Sequence, residues 1–340
     1  MFLCPQYACH HLSRFLRWPL GFALGLCLVS AAGGAATLPT LRVNVFPGAQ
    51  NLPLYYGLAH GIFEKHGLRI DLQFTPNSSA QRAGLAEGRF EVAHAAVDNA
   101  VAMVETAKKD VIIVMGGDSS MNEFLVQPDI ATVGDLRGKM LLVDAPNTAY
   151  ALLAKKILLN NGIKAGEYAV KPVGGTAVRV KALLAKEGEA AIVNIPFSII
   201  ARRQGMKSLG RSVDLLGPYQ ATGAFVMREW AAANGPLLER YIAAYVESLR
   251  AALQPQCRTE CPALLTKWLK IDEDVAEQTY DLLLQPGFGL TRDAQFDREG
   301  FKALLALRAE IEGQWNGKPP APERYFDLGY YERALQRVGR

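Results

Sequence analysis

Across residues 41–46 apolar side chains alternate with polar ones, Leu41, Val43 and Val45 falling on one face in the period-two pattern of a strand. Pro47, Gly48, Asn51 and Pro53 break that pattern and mark a loop. From residue 54 to 66 the apolar positions Leu54, Leu58 and Ile62 take helical spacing, and Gly67 stops the helix. Alternation then returns, with Leu68, Ile70, Leu72 and Phe74 on one face. The stretch predicts a β-α-β unit whose polar loop lies at the C-terminal end of its first strand. In open α/β sheets ligands bind at that edge, where helices present unpaired N–H groups.

The same pattern recurs. Asn77, Ser78 and Ser79 open a helix that ends at residues 85–88, followed by an apolar strand at 92–96. Gly174, Gly175 and Thr176 open another that ends at 184–188, followed by a strand at 190–193. A third polar helix start, Asp144 to Thr148, follows a strand at 140–143. Residues 40–128 read as one α/β unit closed by a strand at 111–115 and an irregular connection through Pro128. A second α/β unit runs to about Leu216, and a strand at 224–227 returns the chain to the first. Helical periodicity then covers 237–253, 262–269, 274–284 and 297–311, and the aromatic cluster Tyr325, Phe326, Tyr330 and Tyr331 is expected to dock on the first unit. The predicted domains are residues 37–128 plus 222–340, and 129–221. Two chain crossings between α/β domains make a hinge and a cleft.

Residues 1–36 contain no acidic residue, carry Arg14 and Arg17 ahead of an apolar run at 20–29, and end in small residues. That is the pattern of a signal peptide, with cleavage expected after Ala36 or one or two residues earlier. The alternative is an uncleaved anchor, for which the run is short. Export puts the mature chain in the periplasm. It also removes three of the five cysteines, leaving Cys257 and Cys261 as a candidate disulfide. The formal net charge of +4 falls to +2 when Arg14 and Arg17 leave, too little for a nucleic-acid footprint.

Catalytic and metal chemistry leave no mark in the sequence. His60, His66 and His94 are too scattered for a ligand triad. Neither a nucleophile elbow nor a phosphate-binding loop nor a paired zinc motif is present, so no metal, cofactor or catalytic residue is assigned.

The ordered series PLYYGLAHGIFEKHGL at residues 53–68, LAEGRFEVA at 85–93 and DLRGK at 135–139 resembles the periplasmic substrate-binding proteins of ABC importers for nitrate, sulfonates, taurine and thiamine-pyrimidine-like compounds. The resemblance implies a type II two-domain α/β clamshell, each domain a mixed sheet flanked by helices with the ligand cleft at the hinge. It also implies a monomer that hands a small-molecule solute to a membrane permease and its ATPase. Two alternatives share the fold: a sensor-type binding protein, and a thiamine-pyrimidine biosynthetic enzyme, whose cysteine-rich motif is missing here.

In such a fold the loops after strand C-termini face the cleft. They nominate Gln50, Asn51, Asn77, Ser78, Ser79, Asp98, Asn99, Asp144, Asn147, Thr148, Gly175, Thr176, Asn194 and Tyr219 as ligand-binding residues. Short polar side chains there can meet a solute, or merely cap the helix they precede. If both face the cleft, Asp98 and Asp144 favour a cationic or hydrogen-bond-donating solute such as an amine or an aminopyrimidine, with sulfonates and nitrate-like anions still open. Arg82 and Arg179, each near the start of a repeat helix, can balance them or simply be solvated. Phe46, Tyr55 and Tyr219 offer stacking surface, whereas Tyr56 and Phe63 read as core.

Overall fold

The computed structural model describes residues 37–339, so the predicted export segment and its cleavage point lie outside the described residues. The chain begins with β1 (Thr40–Val45), α1 (Leu52–Ala59), α2 (Ile62–Lys65), β2 (Arg69–Phe74), α3 (Ser78–Ala86), β3 (Val92–Ala96), α4 (Asp98–Glu105) and β4 (Val111–Asp118). A crossing leads to β5 (Asn122–Val126), β6 (Met140–Val143), α5 (Ala149–Asn160), β7 (Ala169–Pro172), α6 (Thr176–Leu184), β8 (Ala190–Asn194), α7 (Phe197–Arg203), β9 (Lys207–Arg211) and α8 (Ser212–Leu216). The chain returns through β10 (Thr222–Met227) and ends in α9 (Arg228–Ala233), α10 (Gly235–Ala252), α11 (Glu260–Leu269), α12 (Glu273–Leu283), α13 (Arg298–Glu312) and α14 (Gly329–Arg337).

The strands form two sheets, ordered β2-β1-β3-β10-β4 and β7-β6-β8-β5-β9. In the first, β1 runs parallel to β2 and β3 while β10 is antiparallel to both neighbours. The second repeats the scheme, with β6 parallel to β7 and β8 and β5 antiparallel to β8 and β9. Each lobe therefore takes, as the fourth strand of its sheet, the strand delivered by a chain crossing. The repeat read between residues 77–96 and 174–193 is the local trace of this shared topology.

Burial explains the placement of the elements. Leu41, Val43 and Val45 of β1 are fully buried, as their alternation requires. Helix α10 starts with proline in its first turn and buries Leu238, Tyr241, Ile242, Tyr245 and Leu249, one stripe at helical spacing. That stripe joins Leu52, Leu54 and Tyr55 of α1 in the core of the first lobe, where each such side chain contributes roughly 1.5–3 kcal/mol. Helix α13 works at the junction. Its Phe301, Leu304 and Leu305 share one apolar cluster with Ala100 and Val101 of α4 and with Leu152 and Ile157 of α5. The aromatic cluster reaches the first sheet as expected: Ile113 of β4 donates its N–H to the Tyr325 carbonyl at 2.8 Å.

Two details differ from the sequence reading. Residues 122–126, taken as irregular connection in the first unit, form β5 in the middle of the second sheet. The segment opens Asn122-Glu123 after a polar stretch, and its strand character comes from pairing with β8 and β9, partners distant in sequence. The first crossing thus falls at residues 119–121 and the second at 217–221. Cys257 and Cys261, the candidate disulfide, are buried free thiols; their sulfurs donate to the Ala251 and Ala252 carbonyls at the end of α10, at 3.2 and 3.4 Å.

Candidate functional site

A cavity lies between the lobes, at the edge where the parallel strands of both sheets end. Counting its open mouth, it encloses about 500 Å³ of space free of protein atoms. The first lobe lines it with Phe46 and Gln50 after β1, Ala95 and Ala96 at the end of β3, Ser78, Asn99 and Thr222. The second contributes Asp144 after β6, Thr148, Ala149 and Tyr150 at the start of α5, Gly175, Thr176 and Arg179 at the start of α6, and Asn194 at the end of β8.

The lobes touch across this cavity. The Gly175 N–H donates to the Pro76 carbonyl at 3.1 Å, the Ser78 N–H donates to Asp144 Oδ2 at 3.2 Å, and the Asn194 side-chain amide donates to Gln50 Oε1 at 3.4 Å. Gly175 is required for the first contact, because a Cβ there would stand 2.9 Å from the Pro76 carbonyl oxygen. These bonds describe a closed clamshell.

Its polar lining is only partly satisfied. Arg179 is 1% exposed, and burial lowers its pKa against the raising influence of Asp144 and Tyr150. Its Nη atoms donate to the Gly174 carbonyl at 2.7 Å, to Thr176 Oγ1 at 2.9 Å and to the Ile192 carbonyl at 3.3 Å, and its guanidinium lies 5.4 Å from the Tyr150 ring centre. Its Nε has no partner among the described residues, nor have Asp144 Oδ1, Asn99 Oδ1 or Asn194 Oδ1. The two asparagine amides can present either end to a ligand by turning over; the Asp144 oxygen can only accept. Burial raises the Tyr150 pKa, so its hydroxyl stays protonated.

Of the nominated residues, Gln50, Ser78, Asn99, Asp144, Thr148, Gly175, Thr176 and Asn194 meet at this cavity. The others do not line it. Asn51 is turned inward, donating to the Phe46 carbonyl at 2.7 Å and so bracing the loop after β1. Asn77 caps α3 by accepting from the Ala80 N–H at 2.8 Å, and Ser79 is exposed on the same turn. Asn147 is half-buried in the loop ahead of α5. Asp98 is fully buried, and Arg308 of α13 donates to it at 2.5 Å. Asp98 and Asn99 are successive residues of α4, about 100° apart around its axis, so only one can face the cavity. Tyr219 is buried in the second crossing and lines a separate groove beside Leu153 and Leu307.

Tyr55 is buried and stacks on Trp268, with ring centres 4.8 Å apart; the aromatic surface of the cavity is Phe46 and Tyr150. Tyr150 and Thr222 are lining residues that the sequence reading did not name, and Arg179, named there only as a charge to balance the carboxylates, lines the cavity as well. Tyr150 stands in the first turn of the largely apolar α5, and Thr222 comes to the cavity only because β10 enters the first sheet. The histidines among the described residues lie elsewhere, His60 beside Glu260 and His66 beside Glu247, each at 2.7 Å, and His94 in the core. Among the described residues no group of three or more His, Cys, Asp or Glu is arranged to hold a metal ion, and no helix is long and apolar enough to cross a membrane.

A double sheet with paired crossings and a cavity between the lobes defines the periplasmic-binding-protein fold, and the comparisons with known proteins agree. The chain belongs to the NMT1/THI5 like family, whose model matches residues 49–257. A protein of Brachyspira hyodysenteriae named as an ABC transporter periplasmic binding protein is 25% identical over 252 residues, 68% of this chain and 70% of that one. A solved structure from Bordetella bronchiseptica RB50 superposes with a TM-score of 0.77 at 18% identity, over 88% of this chain and 97% of that one. The periplasmic nitrate-binding protein NrtA of Synechocystis PCC 6803 superposes with a TM-score of 0.75 at 13% identity, over 89% of each chain.

Proposed function

We propose that this protein is the solute-binding component of an ABC import system. It works in the periplasm as a monomer, capturing a small nitrogenous solute of the amine or aminopyrimidine kind between its lobes and delivering it unchanged to a membrane permease and its ATPase. The relative's name and the fold support the transport role. The solute class rests on one observation, the buried and unpartnered Oδ1 of Asp144 on the cavity wall.

An acceptor-only oxygen removed from water costs about 1–3 kcal/mol, more when charged, unless a ligand donates to it. Two carbonyls and a hydroxyl accept from the Arg179 Nη atoms and the Asp144 charge acts against its own, so a donor-rich solute completes the open Asp144 oxygen better than a second anion does. Phe46 and Tyr150 supply apolar surface for a flat ring. No group in the cavity is paired as nucleophile and base, which supports binding without chemistry.

A thermal-shift screen of residues 37–340, stripped of bound solute by unfolding and refolding, tests this reading against aminopyrimidines, small amines, taurine, alkanesulfonates and nitrate. A ligand at a hundred times its Kd stabilises the native state by about 2.7 kcal/mol. The shift is expected with a nitrogenous compound. A shift with taurine or nitrate alone would overturn the solute class, and no shift with any compound would count against the binding role.

A further inference from the structure

We propose that Asp144 is the selectivity gate of the cavity: a built-in anion that latches the lobes together and turns anionic solutes away. This deepens the solute-binding reading above and rests on it.

The geometry begins at the start of α3, a helix of nine residues on the first lobe. The first N–H groups of any helix have no partner within it, and together with the helix dipole they attract negative charge. Asn77 satisfies the Ala80 N–H at 2.8 Å and leaves the Ser78 N–H free to point across the cleft. There it meets Asp144 Oδ2, from the second lobe, at 3.2 Å. The adjoining Gly175 to Pro76 bond, at 3.1 Å, holds the two lobes close enough for that contact. The position where the positive end of α3 opens into the cavity is thus filled by a carboxylate belonging to the protein.

A second observation makes this a gate as well as a lobe contact. Asp144 Oδ1 is buried without a partner, and the Nε of Arg179, on a side chain 1% exposed, is also unpartnered on the wall of the same cavity. A donor solute can bond Oδ1 while Oδ2 keeps the latch. An anion has no such option: it must displace Asp144 from the Ser78 N–H or sit against a like charge. Removing the carboxylate frees the Ser78 N–H and leaves the Arg179 Nε facing an anion unopposed.

The test is calorimetric titration of refolded residues 37–340 with nitrate and with 4-aminopyrimidine, for wild type, Asp144→Ala and Asp144→Asn. Asp144→Ala is expected to bind nitrate at least about tenfold more tightly than wild type, the scale of a partly buried contact between an anion and a helix terminus, and 4-aminopyrimidine more weakly. Asp144→Asn keeps an oxygen for Ser78 but no charge, so its gain in nitrate affinity is smaller. Equal nitrate affinity in all three proteins, with native melting curves, would overturn the gate. If 4-aminopyrimidine fails to bind wild type while Asp144→Ala gains nitrate, the gate stands and the solute class falls. If 4-aminopyrimidine binds wild type and neither variant gains nitrate, the gate alone falls.

Discussion

Asp118, the last residue of β4, accepts a hydrogen bond from the hydroxyl of Thr222, the first residue of β10, and so ties together the two segments by which the chain passes between the lobes. The N–H groups of Ser120 and Met121 in the first crossing donate to the same carboxylate, at 2.9 and 3.4 Å. One buried side chain therefore organises the hinge.

Burial raises the pKa of Asp118 in spite of these donors. The folded state then holds a proton more readily than the unfolded one, so the group's contribution to stability is greatest below the ordinary carboxylate pKa. It is lost as pH rises through the raised folded value. Asp118→Asn removes this titration. We expect its melting temperature to exceed that of wild type by roughly 2 °C or more at pH 8, and the difference to close as pH falls toward 4. Parallel melting curves across that range would show that Asp118 does not titrate against burial.

His94 of β3 has the opposite sign. It is buried, shares a hydrogen bond with the Tyr241 hydroxyl at 2.5 Å and stacks on Tyr245 at 5.1 Å, and burial pushes its pKa down to about 3. Folded protein keeps it neutral while unfolded chain takes up a proton below pH 6.5, so stability is lost as pH falls from there. By pH 4.5 the loss is roughly 2–3 kcal/mol. In urea titrations between pH 7 and 4.5, His94→Gln is expected to start less stable than wild type and to lose about that much less on acidification. Equal losses would place the acid sensitivity elsewhere.

The alternation that announced β1 and β2, and the stripe that announced α10, follow from which faces are buried, and burial by period is what a sequence displays directly. The polar helix starts were legible for a related reason. Ser78, Asp144, Thr148 and Thr176 stand at strand C-termini, and topology turns those ends toward the cleft. The side on which a residue falls once its helix is placed was not legible. Asp98 and Asn99 are neighbours of equal polarity, and the partner that draws Asp98 away, Arg308, is 210 residues distant. Residues 122–126 failed for the same reason, since their strand exists only through β8 and β9.

The Asp98 to Arg308 pair carries a stability prediction and not a binding one. Both side chains are at most 1% exposed, Gln314 Oε1 accepts from Arg308 Nε at 3.0 Å, and Asp98 Oδ2 is unpartnered. Removing one member of such a pair leaves a buried charge uncompensated, at a cost of about 3–5 kcal/mol. Arg308→Leu should show that loss in urea unfolding, whereas below the transition its solute affinity should stay within about twofold of wild type, since neither Asp98 nor Arg308 lines the cavity. A large affinity change in folded protein would mean that the pair reaches the cavity.

Cys257 and Cys261 give a chemical check on the packing of α11. Both are buried, and burial pushes the Cys261 thiol up to about 12. Burial shields both sulfurs from reagent, so neither should react readily with iodoacetamide at pH 8 in native protein, and both should react once the chain is unfolded. Mass spectrometry of residues 37–340, which hold only these two cysteines, alkylated before and after denaturation would show zero and two adducts. Zero adducts after denaturation, restored to two by reductant, would show that the pair is oxidised in solution.

Gly175 tests whether closure of the lobes is needed for binding. Its backbone is extended rather than left-handed (φ −59°, ψ 168°), so any residue can adopt it, and the restriction is one of space. A Cβ at this position would stand 2.9 Å from the Pro76 carbonyl oxygen and 3.5 Å from the Phe46 ring, both on the opposite lobe. A side chain there holds the lobes apart without disturbing either core. Gly175→Val should change unfolding stability by less than about 1 kcal/mol while raising the Kd for solute about tenfold or more, as expected when the closed state is displaced by 1.4 kcal/mol. Small-angle scattering of the solute-saturated variant should show a larger radius of gyration than that of wild type. Unchanged affinity with an unchanged radius would mean that the 3.1 Å contact between Pro76 and Gly175 is incidental to capture, and that the cavity binds with its lobes already free to separate.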